Sequence, residues 1–301
     1  MENKCILAVD AGGTFFKFAL LDETYDVLFE GECPACSDGG IGDIENAWKT
    51  LLRTAQMRAG ALGRAIGRLA VSSPGPYDFE KGIPLMKHKF ASAYGVSVLP
   101  WIAETLPGVH ACFMHDLTAF MLGQLLFGAA KGAARPAAVT LGTGFGFANV
   151  VDGRIAVNSL LTTHIPVWKM PFEGGITEDF VSRRAIRAAY RRLSGCDEGA
   201  VPDVKEIASR AQAGEGAAQQ TFSDMGAYFG RIIRPVLLSL DADRLILGGQ
   251  IAKAHALFEG TLLPYLPCPM VLAQDGEAAA LKGAAAYSVL GAERALQIYQ
   301  D

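Results

Sequence analysis

Short apolar runs separated by turn residues dominate the opening of the chain. Three such runs, at 5–10, 15–22 and 25–32, are separated by Gly-Gly and Asp-Glu-Thr turns, which predicts a β-meander. Beyond it the hydrophobic pattern alternates between helical and strand-like segments. The predicted elements are a helix over about 43–60, a strand at 68–72, a helix near 99–106 and a strand at 110–114.

The opening pattern recurs from about residue 137, where a strand, a glycine-rich turn, a second strand and a further turn follow in the same order. The chain is therefore predicted to contain two related α/β halves, with a ligand cleft between them. In each half the glycine turn joins two strands, whereas Rossmann and Walker-type loops lead into a helix. The second half continues with helices near 178–193, 216–240 and 277–290 and a strand at 244–247.

Composition narrows the classes of function. The chain has 301 residues, of which 50% are hydrophobic and 19% charged, and its net charge is -4. This balance indicates a globular protein and gives no overall positive field for nucleic acid or anionic lipid. Because the sequence shows neither a signal segment nor an apolar run near 18 residues, we expect a cytoplasmic protein that does not contact membranes. The six cysteines are interpreted as reduced thiols.

The turn after the first predicted strand carries candidate phosphate chemistry. Its residues are Asp10, Gly12, Gly13, Thr14 and Lys17. Glycines let backbone N–H groups approach a phosphate, and a threonine hydroxyl adds a donor. The aspartate is a candidate Mg²⁺ ligand through water, and the lysine a candidate for neutralising phosphate charge. An ordinary hairpin turn is the alternative interpretation.

Two further small-residue segments strengthen the phosphate interpretation. The duplicated turn in the second half contains Gly142, Thr143 and Gly144. A third segment ends a strand at Gly248 and Gly249 before Gln250, as is needed where a base or ribose lies against backbone. Taken singly, the third segment is equally consistent with a simple strand-to-helix turn.

With these motifs in this order, the chain resembles the ROK family (repressor, open reading frame, kinase) of sugar kinases. Segments 10–14 and 141–146 resemble the family's two phosphate motifs, segment 73–76 its sugar-side loop and segment 247–250 its adenosine motif. The resemblance implies an α/β, two-lobed actin-like ATPase (ribonuclease H-like) fold with a duplicated mixed β-sheet and helices on both faces. It also implies ATP and Mg²⁺ as cofactors, a small-molecule sugar as acceptor, and a homodimer.

The expected lobes are residues 1–115 together with a C-terminal helix at 283–301, and residues 116–282. Asp116 matches the family's general base, which takes the proton of the attacking sugar hydroxyl. Asp116 also precedes a predicted helix, so a simple N-cap is the alternative.

The resemblance assigns sugar contacts to Gly75, Lys89, His115, Asp116, His164 and Glu178. Besides segment 87–89, the chain departs from the family at three points. His115 replaces an asparagine, Leu161 replaces a glutamate although His164 is kept, and segment 170–178 contains no cysteine, so no structural zinc is expected. Glu178 has the alternative role of an acid in the first turn of a helix.

Lys87, His88 and Lys89 stand near the expected sugar loop, where the family carries an asparagine. They suggest an anionic or otherwise modified acceptor, and the alternative is that the two lysines are solvated loop charges. The changes at His115 and Leu161 also leave open a catalytically degenerate protein that binds sugar or regulates without turnover. A kinase for an amino, acidic or polyol acceptor is a further alternative.

Overall fold

The computed structural model describes residues 3–87, 89–276 and 278–297. Its strands are β1 (Lys4–Ala11), β2 (Phe15–Leu21), β3 (Val27–Pro34), β4 (Ala65–Ser73), β5 (Tyr77–Asp78), β6 (Ile83–Pro84), β7 (His110–His115), β8 (Pro136–Leu141), β9 (Phe145–Val151), β10 (Arg154–Ile155), β11 (Pro171–Phe172), β12 (Gly175–Ile176), β13 (Arg244–Gly248) and β14 (Met270–Leu272). Its α-helices are α1 (Ile41–Ala61), α2 (Leu99–Thr105), α3 (Asp116–Phe127), α4 (Arg183–Ser194), α5 (Val204–Gln212), α6 (Gly216–Ser239), α7 (Glu259–Leu262), α8 (Ala278–Leu290) and α9 (Ala292–Leu296).

The first sheet has the order β3-β2-β1-β4-β7. Strands β1, β2 and β3 pair antiparallel, which confirms the predicted meander, while β4 and β7 join in parallel. Five consecutive residues of β1 are buried, so both faces of the sheet are covered. Trp48, Leu51 and Leu52 of α1 share a hydrophobic core with Leu7 and Val9 of β1.

The second sheet repeats this arrangement with the order β10-β9-β8-β13-β14. Strands β8 and β9 form the antiparallel hairpin, and β13 joins β8 in parallel. Phe145 and Phe147 of β9 share the second core with Phe222 and Phe229 of α6. The prediction of two mixed five-stranded sheets is confirmed. Among the described residues, no helix is both long and apolar enough to cross a membrane.

The described residues divide into two compact units, one formed by 3–131, 154–164 and 278–297 and the other by 132–153 and 165–276. The first unit thus extends past the expected boundary at residue 115, because α3 packs on α8. The helices approach so closely that a methyl group at Gly123 would overlap the carbonyl oxygen of Ala279, and one at Gly283 that of Ala119. The lobe boundaries expected from the family resemblance stay a prediction.

Two helix predictions need correction. The expected C-terminal helix at 283–301 ends at Leu290, because Gly291 takes a left-handed φ of +77° before the short α9 begins. The helix expected near 178 begins at Arg183. Segment 177–179 forms a separate 3-10 turn, and the hydroxyl of Ser182 caps α4 by accepting a hydrogen bond from the Ala185 amide.

All six cysteines are free thiols, as interpreted from the sequence. Burial, with a smaller contribution from the neighbouring Cys36, raises the pKa of Cys33 to about 11. Burial likewise raises the pKa of Cys112 to about 12. A thiol with so high a pKa is a poor nucleophile, which argues against a redox role for Cys33.

The α3–α8 contact predicts a stability effect of glycine substitution. Gly283→Ala should lower the free energy of unfolding by about 1–3 kcal/mol, because the added methyl group forces the two helices apart. Gly60→Ala in α1 is the matched control, since nothing lies within 4 Å of the added group, and it should raise stability by about 0.5–1 kcal/mol. Urea denaturation followed by circular dichroism measures both, and equal stabilities would contradict the prediction.

Candidate active site

Polar side chains gather at the carboxyl ends of the three parallel strands β1, β4 and β7. The register places Asp10 beside Ser72, and Ser73 beside His115. The Ser72 hydroxyl donates a hydrogen bond of 3.3 Å to Asp10 Oδ1. The apolar strands thus end together in a polar edge, and α3 starts from this edge at Asp116.

The first glycine turn follows Asp10 at this edge. The Gly12 N–H donates to the Asp10 carbonyl oxygen at 3.0 Å, which closes the turn. The next two amide N–H groups, of Gly13 and Thr14, donate to none of the described residues. Lys17 lies opposite Asp10 in the β1–β2 hairpin. Two adjacent unpaired amides form a concavity suited to an anion.

Asp116 is the first residue of α3, and His115 occupies the N-cap position. Asp116 Oδ1 accepts a hydrogen bond of 2.7 Å from the Leu117 N–H and lies 3.4 Å from His115 Nε2. No described residue donates to Oδ2, and the side chain is 36% exposed. The expected alternative of an N-cap is therefore wrong for Asp116, which is the first helical residue; one carboxylate oxygen contacts the first turn and the other is open to accept a proton.

His115 is buried, and its Nδ1 contacts no described hydrogen-bond partner. The Phe79 ring meets the imidazole edge-on at 6.3 Å. Gly75 also lies near the imidazole, since a methyl group there would be 3.6 Å from His115 Cδ2 and 2.9 Å from Thr162 Cγ2. The sugar-side loop, His115 and segment 158–164 thus come together in the first compact unit.

Segment 158–164 is organised by Asn158. Its side-chain oxygen accepts from the amides of Leu160 and Thr162, and its amide nitrogen donates to the Thr162 hydroxyl at 2.7 Å. Leu161 adopts a φ of +58° at the tip of this turn, so the position that carries glutamate in the family lies in a left-handed turn. His164 follows the turn and is exposed.

Lys89 lies at the first glycine turn. A methyl group at Gly13 would be 2.8 Å from Lys89 Cδ, so the lysine stem runs along the glycine. The Lys87 ammonium instead lies 5.6 Å from the centre of the exposed Tyr94 ring. His88 is outside the described residues.

The second glycine turn lies in the second compact unit. The Gly142 N–H donates to the Gly144 carbonyl at 3.1 Å, and the amides of Thr143 and Gly144 donate to none of the described residues. Glu178 Oε2 accepts a hydrogen bond of 3.1 Å from the Phe145 N–H. Gly144 makes room for this carboxylate, since a methyl group there would lie 2.6 Å from Oε2.

The third segment ends β13 at Gly248, and Gly249 takes a φ of +87°. A side chain at Gly249 would overlap the backbone of Leu141, the residue before the second glycine turn. The second turn and the third segment are therefore adjacent. The residues after Gln250 form a 3-10 helix (Ile251–Leu257).

The ROK family model matches residues 6–288. This span includes every motif described above. The chain belongs to the ROK family.

Individual ROK relatives are distant in sequence and close in fold. A glucokinase of Thermotoga maritima is 24% identical over 284 residues, 87% of this chain and 87% of the relative. An N-acetylmannosamine kinase of Salmonella arizonae is 23% identical over 265 residues, 84% and 85% of the two chains. The crystal structure of a ROK glucokinase from Streptomyces griseus with glucose and AMPPNP aligns with a TM-score of 0.78 and 18% identity, covering 95% of this chain and 100% of that one. The expected fold class is confirmed.

The residues of this ROK protein fit Mg²⁺ bound mainly through phosphate. Among the described residues, no group of three or more histidine, cysteine or acidic side chains could hold a metal ion by itself. Mg²⁺ in phosphoryl-transfer sites is usually held by one or two carboxylates together with substrate phosphates and waters. Asp10, at the start of the glycine turn, supplies such a carboxylate.

Segment 170–178, where many family members carry zinc cysteines, forms the β11–β12 hairpin in this ROK protein. The Phe172 ring packs edge-on against Phe180 at 5.0 Å and against Tyr228 at 6.1 Å. Arg231 pairs with Glu173 in the same hairpin at 2.6 Å. Aromatic packing and an ion pair therefore hold the segment that leads to Glu178.

Sequence reasoning missed Ser72, Phe79, Asn158 and Thr162. Ser72 had a usable signal, since it ends an apolar strand just as Asp10 does. The other three carry no motif, because their roles follow from contacts between segments that are distant along the chain.

The Glu178 contact predicts a local effect that is independent of activity. Gly144→Ala should displace the carboxylate, and the Phe145 amide should then exchange about 10- to 100-fold faster, as expected for losing a hydrogen bond to a charged group. Gly142→Ala is the matched control, because nothing lies within 4 Å of the added methyl group. Amide hydrogen exchange by NMR checks the pair. Equal exchange in both variants would refute the contact.

Proposed function

We propose that this ROK protein is an ATP-dependent kinase that phosphorylates a hydroxyl of a hexose or hexose derivative. The observation that carries the proposal is the pair of glycine turns, each with two neighbouring amide N–H groups that donate to none of the described residues. Phosphate oxygens are natural acceptors for such groups. The matching relatives named glucokinase and N-acetylmannosamine kinase support the same reaction class.

Both glycine turns are proposed to bind nucleotide phosphate. Gly12, Gly13 and Thr14, with Lys17, bind phosphate on the first turn, and Gly142, Thr143 and Gly144 bind it on the second. The third segment, Gly248, Gly249 and Gln250, takes the adenosine. Asp10 holds Mg²⁺ through water, and the ion when bound neutralises charge on the phosphate oxygens.

Asp116 acts as the general base. Its Oδ1 is held by the Leu117 amide, so the open Oδ2 takes the proton of the acceptor hydroxyl as that oxygen bonds to the γ-phosphorus. The bond between the γ-phosphorus and the β,γ-bridging oxygen breaks, and ADP leaves. His115 lies beside Oδ1 and limits how the carboxylate can turn.

The acceptor lies among Gly75, His115 and Asp116 in the first unit, with His164 at the end of the Asn158 turn. The buried, unpartnered Nδ1 of His115 supports a polar ligand there. Glu178, in the second unit, is available to a sugar hydroxyl only if its carboxylate leaves the Phe145 amide or uses its second oxygen. The two relatives named above act on different hexoses, so membership in the family leaves the acceptor to be determined by experiment.

Replacing the proposed base gives the direct test. Asp116→Asn should lower kcat by about 10²- to 10⁴-fold while acceptor and nucleotide binding persist, because the amide keeps the shape and cannot take the proton. Asp197→Asn, at an exposed position, is the control and should leave kcat unchanged. A coupled ADP-release assay with MgATP measures both. Unaltered turnover in Asp116→Asn would remove this residue from the mechanism.

A regulatory protein that binds sugar without turnover is the second candidate, favoured by His115 and by Leu161 at the tip of its turn. A panel of hexoses, N-acetylhexosamines, amino sugars and sugar acids separates the candidates. The kinase predicts ADP release with one acceptor class. Binding alone predicts that sugars raise the melting temperature of the protein while no ADP forms.

A further inference from the structure

We infer that the Lys89 ammonium contacts the phosphoryl group that is transferred, and so acts as a catalytic residue rather than as a sugar ligand. This inference rests on the proposed kinase function. It reassigns a residue that the sequence places with the acceptor, and it follows from where the lysine stem lies.

The aliphatic part of the Lys89 side chain lies along the first glycine turn. A methyl group at Gly13 would lie 2.8 Å from Cδ, 3.0 Å from Cε and 3.2 Å from Cγ. Nζ is one bond of about 1.5 Å beyond Cε, so the ammonium lies within about 4.5 Å of the same point. The ammonium is therefore close to Gly13 and Thr14, whose amides donate to none of the described residues.

The backbone next to Lys89 is fixed by Phe90. The Phe90 ring is buried and stacks on Phe16 at 5.9 Å, and the Phe90 amide donates to the Ser37 carbonyl at 3.0 Å. Phe16 belongs to β2, which starts directly after the turn. The same aromatic contact thus ties segment 89–90 to the turn and holds the lysine there.

Lys89 forms no ion pair with the described acidic side chains, although it is partly buried. Lys87, two residues away, is exposed and lies over the Tyr94 ring. A partly buried ammonium without a carboxylate partner, beside two unpaired amides, is suited to an anionic oxygen. The γ-phosphoryl oxygens carry this charge, which must be stabilised as the acceptor oxygen bonds to the γ-phosphorus and the bond to ADP breaks.

The test compares Lys89→Met with Lys87→Met as the matched control. Lys89→Met should lower kcat by about 100-fold, the typical loss for one donor to a developing anion. It should also reduce the ratio of AMPPNP affinity to ADP affinity by about tenfold, because ADP lacks the phosphoryl group that Lys89 contacts. Calorimetry in the presence of Mg²⁺ measures both affinities. Lys89→Arg keeps the charge and should recover much of both effects. Lys87→Met should change neither.

The two readouts separate the inference from the function on which it rests. If Lys89→Met raises the KM for the acceptor and leaves the ratio of AMPPNP to ADP affinity unchanged, Lys89 is a sugar ligand. If neither quantity changes, Lys89 is a solvated charge. Either result overturns the inference. If the wild-type protein transfers no phosphoryl group, the proposed function fails, and the affinity ratio still decides whether Lys89 contacts the γ-phosphate. Failure of the wild-type protein to bind AMPPNP would overturn both. The melting temperature of each variant shows whether it is folded, and Lys89→Gln provides a second uncharged variant should Lys89→Met fail to fold.

Discussion

The parallel register of β1, β4 and β7 is the constraint on which the candidate active site depends. Parallel strands end at one edge of a sheet, and this register brings Asp10, Ser72 and His115 to that edge together. Because α3 begins directly after β7, Asp116 is fixed at the same edge by the strand before it. Packing of α3 on α8 through glycine contacts then holds the helix in place. A shift of one residue in β7 would turn the polar residue at its end toward the opposite face.

In several motifs, neighbouring protein atoms lie so close to a glycine that a side chain would not fit there. Phosphate binding requires only that backbone amides be accessible. These glycines also lie against protein atoms that a side chain would displace. The pairs are Gly75 with Thr162, Gly144 with Glu178, and Gly249 with Leu141. These glycines therefore have a packing role in the fold in addition to the ligand contacts proposed for their motifs.

The local parts of the fold were predictable because each has a short-range signal. Apolar runs and glycine turns predicted the meander, the duplicated hairpin and most helix positions, and the order of the motifs led to the family resemblance. The helix predicted over 277–290 ends at Leu290 as expected, whereas the C-terminal helix drawn over 283–301 did not allow for the positive φ of Gly291. The contacts of Lys89 with Gly13 and of Glu178 with Phe145 join segments 76 and 33 positions apart, and no local pattern encodes them.

Each of the two glycine turns is proposed to bind nucleotide phosphate. Hydrogen exchange of the peptides that cover 10–17 and 140–146, with and without AMPPNP and Mg²⁺, tests it most directly. We expect slower exchange in both segments at the same nucleotide concentration, because the amides of Gly13, Thr14, Thr143 and Gly144, which donate to none of the described residues, would acquire phosphate acceptors. Saturating nucleotide that slows exchange in neither segment, or in only one of them, would contradict the account.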